Sequence, residues 1–224
     1  MSGMHPKNDA QKRPSNRPVY LALVALTIIF SGLLLTGCKS EYEQLVEREL
    51  ASGERHDSLF FGLYLGMTAD SFYKHCWKLN KTQKFKQGQF NTSVEYTMDE
   101  FEHPAVMNFY PTFNDEGVVA EMPVMFNYKG WAPWNKELWA DSLVLKVKDL
   151  MEKWYGPGFI EMTHPEKGTR YVKVDGNRRI ILWAVDEQYV KALYSDLTRI
   201  KKESEKDTQK RSSKSAKENQ PKDG

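Results

Sequence analysis

Asn114-Asp115-Glu116-Gly117, followed by Val118-Val119-Ala120-Glu121-Met122-Pro123-Val124-Met125-Phe126-Asn127-Tyr128, is a turn that opens into an alternating run. A period of two places one set of side chains on a single face, so the run predicts a half-buried strand, and the turn predicts an antiparallel neighbour before it. Residues 105–109 are dense in apolar side chains, and Val94, Tyr96 and Met98 alternate, which makes three strands of a meander. Further upstream, Phe60-Phe61-Gly62-Leu63-Tyr64-Leu65 leads into Gly66-Met67-Thr68. The Thr68 hydroxyl can accept a bond from an orphan amide at a helix start. Phe72, Cys76 and Leu79 then share one helix face, which closes at Asn80 and Lys81.

Downstream the order repeats. Trp134, Asn135 and Trp139 occupy the N′, N-cap and N4 positions of a second helix, so the tryptophans predict a hydrophobic staple around an asparagine cap. Leu143, Val147, Leu150, Met151 and Trp154 form its buried stripe, and Gly156-Pro157-Gly158 ends it. Residues 171–174 and 179–185 read as strands joined at Asp175-Gly176, a strong hairpin signal. Residues 189–197 alternate as a strand, although Tyr189, Leu193 and Leu197 also fit a helix; strand is adopted. The fold expected is α+β: two tandem helix-plus-antiparallel-meander units, residues 58–130 and 131–200, with helices packed on one face of the sheet.

The termini differ in kind from this middle. Lys7, Lys12, Arg13 and Arg17 precede residues 19–38, which hold no charged side chain. That pattern predicts a signal peptide over residues 1–37. Its end, Leu35-Thr36-Gly37-Cys38, resembles the bacterial lipobox. The resemblance implies a bacterial lipoprotein: the Cys38 thiol takes a diacylglycerol group, the chain is cut after Gly37, and the new amine is acylated, commonly with palmitate. No cofactor is expected beyond this covalent lipid. Two or three acyl chains, at about 0.8 kcal/mol per buried methylene, anchor permanently where one chain is marginal. An uncleaved membrane helix is the other reading of an uncharged run of this length. Lys39 does not match the aspartate that, in enteric bacteria, retains lipoproteins at the inner membrane, so outer-membrane localisation is expected. Glu41 and Glu43 resemble part of the acidic stretch of surface-exported lipoproteins, leaving periplasmic and cell-surface orientations both open.

Residues 38–57 form the tether, in which Tyr42, Leu45, Val46 and Leu50 recur at helical spacing over 41–52 and Gly53 supplies a stop. Residues 201–224 contain one apolar residue, Ala216, and are expected to be a disordered charged tail. The whole chain has 224 residues, 40% hydrophobic, two cysteines and a formal charge of +2, which excludes a disulfide scaffold and a wholly disordered protein. Residues 39–200 alone hold more acids than bases, so nucleic acid is not an expected partner.

Beyond the lipobox, Gly66-Met67-Thr68 opening a helix and Tyr155-Gly156-Pro157-Gly158 closing another resemble pieces of the SmpA/OmlA-type outer-membrane lipoproteins and the beta-lactamase-inhibitor-like fold. That resemblance implies helices on one face of an antiparallel sheet. It departs from the family at Ser71, where a polar Gln or Glu is usual, and at Leu79-Asn80-Lys81, where the family's Gly-x-Pro follows the first helix.

No two of His5, His56, His75, His103 and His164 are spaced to share a metal on one helix face, and no nucleophile elbow or phosphate-binding loop is present. No catalytic residue is therefore assigned. Cys76, between Phe72 and Leu79 on the inward stripe, reads as a structural thiol. Tyr128-Lys129-Gly130-Trp131-Ala132-Pro133-Trp134 gathers aromatics at the junction, so Tyr128 and Trp131 are the candidate binding residues; the competing reading makes Trp131 a seal between the units. The function expected is a non-enzymatic envelope protein, membrane-held through its lipid, that binds another envelope protein. A lipoprotein enzyme acting on cell-wall or surface glycan is the alternative. Cys38→Ser is expected to abolish acylation and cleavage; a clickable fatty acid that still labels the mutant chain would contradict the lipobox.

Overall fold

The computed structural model describes residues 39–88, 93–166 and 168–218. The chain divides into two units, Met1–Glu43 and Gln44–Gly224. The described part of the first, residues 39–43, opens helix α1 (Glu41–Ser52) with a capping box. There Ser40 N donates to Glu43 Oε2 at 2.9 Å and Glu43 N donates to Ser40 Oγ at 3.2 Å, so two orphan amides are satisfied reciprocally. Cys38 and the signal segment lie outside the described residues.

The second unit contains helices α2 (Ala69–Lys81), α3 (Ala140–Tyr155) and α4 (Leu197–Glu218). Its strands are β1 (Lys86–Gln87), β2 (Val94–Met98), β3 (Ala105–Phe109), β4 (Thr112–Phe113), β5 (Val119–Tyr128), β6 (Ile160–His164), β7 (Gly168–Asp175), β8 (Arg178–Ala184) and β9 (Val190–Asp196). They form one nine-stranded sheet in the order β1-β2-β3-β5-β9-β8-β7-β6, with β4 beside β5 as well. The expectation of two tandem helix-plus-meander units is overturned. The last strand in sequence pairs with β5 of the first half, from Glu121↔Ser195 to Phe126↔Val190, and with β8 of the second. Two separate meanders would each expose a long apolar edge strand; joining them at β5 and β9 removes both edges.

A single core follows from this pairing. Met122, Val124 and Phe126 of β5 meet Ala192 and Tyr194 of β9 in one cluster that also takes Phe72 of α2 and Leu143, Val147 and Met151 of α3. Phe60 lies between the halves, its ring 5.0 Å from Phe109 of β3 and 5.7 Å from Tyr194 of β9. α2 starts as its sequence predicts, the Thr68 hydroxyl accepting from Ser71 N at 3.3 Å. α3 does not. Asn135 caps a short 3-10 turn, Lys136–Leu138, and the helix begins only at Ala140. The turn displaces Trp139 from the N4 position and leaves Trp134 86% exposed, so the expected staple is absent.

Of the expected tail, residues 201–218 continue α4 as helix, and residues 219–224 lie outside the described residues. The start of α4 is set by Asp196, whose buried Oδ1 accepts from Thr198 N at 3.1 Å and Arg199 N at 3.2 Å. Oδ2 accepts from Arg199 Nε at 3.1 Å and Arg55 at 3.2 Å. Beyond this cap, closely spaced Lys and Glu residues with good helix propensity keep the turns going.

Asp196→Ala removes a buried charge shared by two arginines together with a helix cap, and is expected to cost about 3 kcal/mol of unfolding free energy in urea titrations. Ending the chain after Ile200 removes mainly exposed ion pairs, such as Lys206 with Glu116, and is expected to move the melting temperature by only a few degrees. A larger drop on truncation would show that α4 packs against the core.

Candidate functional site

Alternation along β5 sends Met122, Val124 and Phe126 into the core, which leaves Glu121, Pro123, Met125 and Asn127 on the opposite face, each half-buried. Cross-strand register extends that face. Pro123 stands opposite Leu193, and Leu193 opposite Ile181. This is a continuous apolar row over β5, β9 and β8 on the side away from α2 and α3. One step along, Met125 pairs with Lys191, which pairs with Trp183. The Trp183 ring lies 5.0 Å from the guanidinium carbon of Arg170 and 5.7 Å from Lys191 Nζ. A step the other way, Ser195 Oγ donates to Glu121 Oε1 at 2.9 Å and accepts from Arg179 at 3.3 Å. Ser195 is thus a buried bridge between an acid and a base.

The face is chemically suited to docking. It offers an aliphatic row at sheet geometry with cations beside an aromatic ring, which matches a surface presenting apolar and carboxylate groups together. A second cluster of charge, at the far end of β7 and β8, is committed to structure. There the Arg178 guanidinium donates to Ser58 O at 2.6 Å and Asp175 at 2.9 Å and stacks 4.4 Å from the Tyr155 ring. Lys173 Nζ donates to Pro157 O at 2.8 Å and pairs with Asp175 at 2.7 Å. Burial pushes the Tyr155 hydroxyl up to about 12, so it stays protonated and donates to Leu59 O. Among the described residues no group of three or more His, Cys, Asp or Glu is close enough to hold a metal.

The two junction residues do not form a site together. Tyr128 is 1% exposed, with its ring in the core, which corrects its candidacy as a surface ligand residue. Trp131 is half-buried, and its indole N–H donates to Glu187 O at 3.1 Å, the same carbonyl that receives Ala140 N at 2.8 Å. It braces the start of α3 against the β8–β9 turn. Of the histidines, His75 Nε2 donates to Phe61 O at 2.7 Å and His164 Nδ1 accepts from Glu166 N at 3.1 Å, both local ties. The residues that the sequence reading missed, Pro123, Leu193, Ile181, Met125 and Trp183, were visible as the off-beat half of each alternating strand. What hid them was register, since only the β5–β9 pairing places them side by side.

Comparison with known protein families, with curated proteins and with solved structures finds no match. Among the described residues no helix is long and apolar enough to cross a membrane.

Cys76 is half-buried on α2, and burial pushes its thiol up to about 12. The raised value favours the neutral thiol, so the reactive thiolate becomes tenfold scarcer with each pH unit below it. Alkylation of native Cys38→Ser protein is expected to climb log-linearly from pH 7 to 10 without a plateau, and to speed up on unfolding by roughly a thousandfold. A plateau near pH 9 in the folded protein would restore Cys76 as a reactive candidate.

Proposed function

We propose that this chain is a lipid-anchored protein of the bacterial cell envelope, held on the outer membrane through Cys38, whose folded part binds another envelope protein without catalysing a reaction. The observation that carries the binding reading is the Pro123–Leu193–Ile181 row with Met125 and Trp183 beside it, half-exposed on the sheet face away from the helices. Burying such a row would be worth about 25 cal/mol per Å², while Arg170 and Lys191 select a partner with carboxylates at the rim. Anchoring is supported by the Leu35-Thr36-Gly37-Cys38 sequence and the uncharged run before it.

A photocrosslinking amino acid at Leu193 in the lipidated chain, in living cells, is expected to give a discrete protein adduct that the same probe at the exposed Lys153 of α3 does not. Adding Ile181→Lys to the Leu193 probe is expected to abolish that adduct while leaving the melting temperature within a few degrees. Equal adducts from Leu193 and Lys153, or an adduct indifferent to Ile181→Lys, would contradict the docking face.

A further inference from the structure

β3 and β4 lie in sequence along the same edge of β5, with Phe109↔Val124 ending one pairing and Thr112↔Glu121 beginning the next. Tyr110 and Pro111 span the break, at the level of Pro123, which has no amide hydrogen to give to a ladder. Two cavities meet at this break, sharing Tyr110 and Ser93. One, of ≈ 420 Å³, runs past Asn108, Asn127, Tyr189 and Lys191. The other, of ≈ 300 Å³, runs between α2 and β1 past Tyr73, Trp77, Gln87 and Lys86.

The trough has an unusual lining. Trp77 is 63% exposed, Tyr73 50% and Tyr110 39%, well above what packing requires of rings this large. Lys81 Nζ sits 3.4 Å from the Trp77 centroid and covers one face of the indole, leaving the other. The Tyr73 and Tyr110 hydroxyls hydrogen-bond each other, tying α2 to the end of β3 and holding both rings in place. Asn108 and Asn127 line the first cavity and Gln87 the second, and neither cavity is lined by an Asp or Glu among the described residues. Flat apolar faces beside amide donors and acceptors match a pyranose ring, which presents C–H bonds on its faces and hydroxyls around its rim.

We propose that this trough binds a strand of acidic polysaccharide, with sugar rings on Trp77, Tyr73 and Tyr110, hydroxyls on the carboxamides, and acid groups at Lys86 and Lys191. The two lysines stand in different cavities, one in each arm of the trough, so more than one residue of a chain is engaged. Single-stranded nucleic acid also stacks on aromatic rings, but it carries a charge on every nucleotide and calls for a continuous basic groove, which two lysines do not make. Hydrolysis of the glycan would need a pair of carboxylates across the scissile bond, and among the described residues none lines the trough. One arm of the trough shares Pro123, Met125 and Lys191 with the docking face, and the two readings are told apart by their probes, since Leu193 and Ile181 line neither cavity.

The test is titration calorimetry on the full chain in detergent with hexagalacturonate and a heparin hexasaccharide, and with maltohexaose and a ten-residue oligothymidine as comparisons. At least one acidic sugar is expected to bind, and Trp77→Ala, at an exposed ring, and Tyr110→Ala each to weaken it about tenfold, Trp77→Ala with the melting temperature unchanged and Tyr110→Ala in protein shown still folded by its circular dichroism. Lys191→Met is expected to weaken the acidic probe and to flatten its salt dependence. Failure of both acidic sugars to bind, binding undiminished in Trp77→Ala and Tyr110→Ala, equal affinity for maltohexaose, or tighter binding of the oligothymidine would each overturn the assignment.

Discussion

The antiparallel ladder between β5 and β9 is the constraint from which the rest of the molecule follows. It joins residues 74 positions apart in the chain, as the Ser195–Glu121 hydrogen bond records. Through it Phe126 and Tyr194 enter one core, each contributing about 2–3 kcal/mol by burial, and α2 and α3 are brought to the same side of one sheet. The segment before α2 then has somewhere to go. Phe60 fills the seam where the two halves of the sheet meet.

Having a single covered face makes the molecule two-sided. The helix side is closed by aliphatic and aromatic packing, with Arg178, Lys173 and Asp175 tying its margin at one end of β7 and β8. The other side keeps an aliphatic row and a tryptophan flanked by cations. Where β3 hands over to β4, the sheet margin is interrupted and aromatic side chains stay in solvent. Both candidate binding regions are therefore products of the topology, one from a sheet face that neither α2 nor α3 covers and one from a break in strand pairing.

The local elements were largely legible in the sequence, and their assembly was not. Thr68 as a cap, Gly156 as a stop and the Asp175-Gly176 hairpin depend on neighbours within a few residues, where physical rules are strong. Trp134 and Trp139 had staple spacing, yet a three-residue 3-10 turn between them was enough to undo it. Residues 201–218 lacked the apolar surface that a packed element needs, but a cap at Asp196 and alternating charge suffice for a helix that packs little. Tyr128 looked like part of a surface aromatic cluster because the strand's alternation was not carried to its last residue, where the parity of Met122, Val124 and Phe126 turns it into the core. The repeated helix-then-meander order was a true feature of the sequence that did not mean repeated domains. Nothing in residues 189–197 says that the strand they form lies in the middle of the sheet.

That central position has a consequence for how the chain is delivered. A polypeptide emerging N-terminus first, from a ribosome or through a membrane channel, presents β5 long before the strand that completes its edge. Until residues 190–196 arrive, the edge of β5 opposite β3 and β4 has no partner, and non-local pairing of this kind closes slowly. The chain therefore reaches its final form only after residues 190–196 are available to close the sheet, whichever local elements have formed before them.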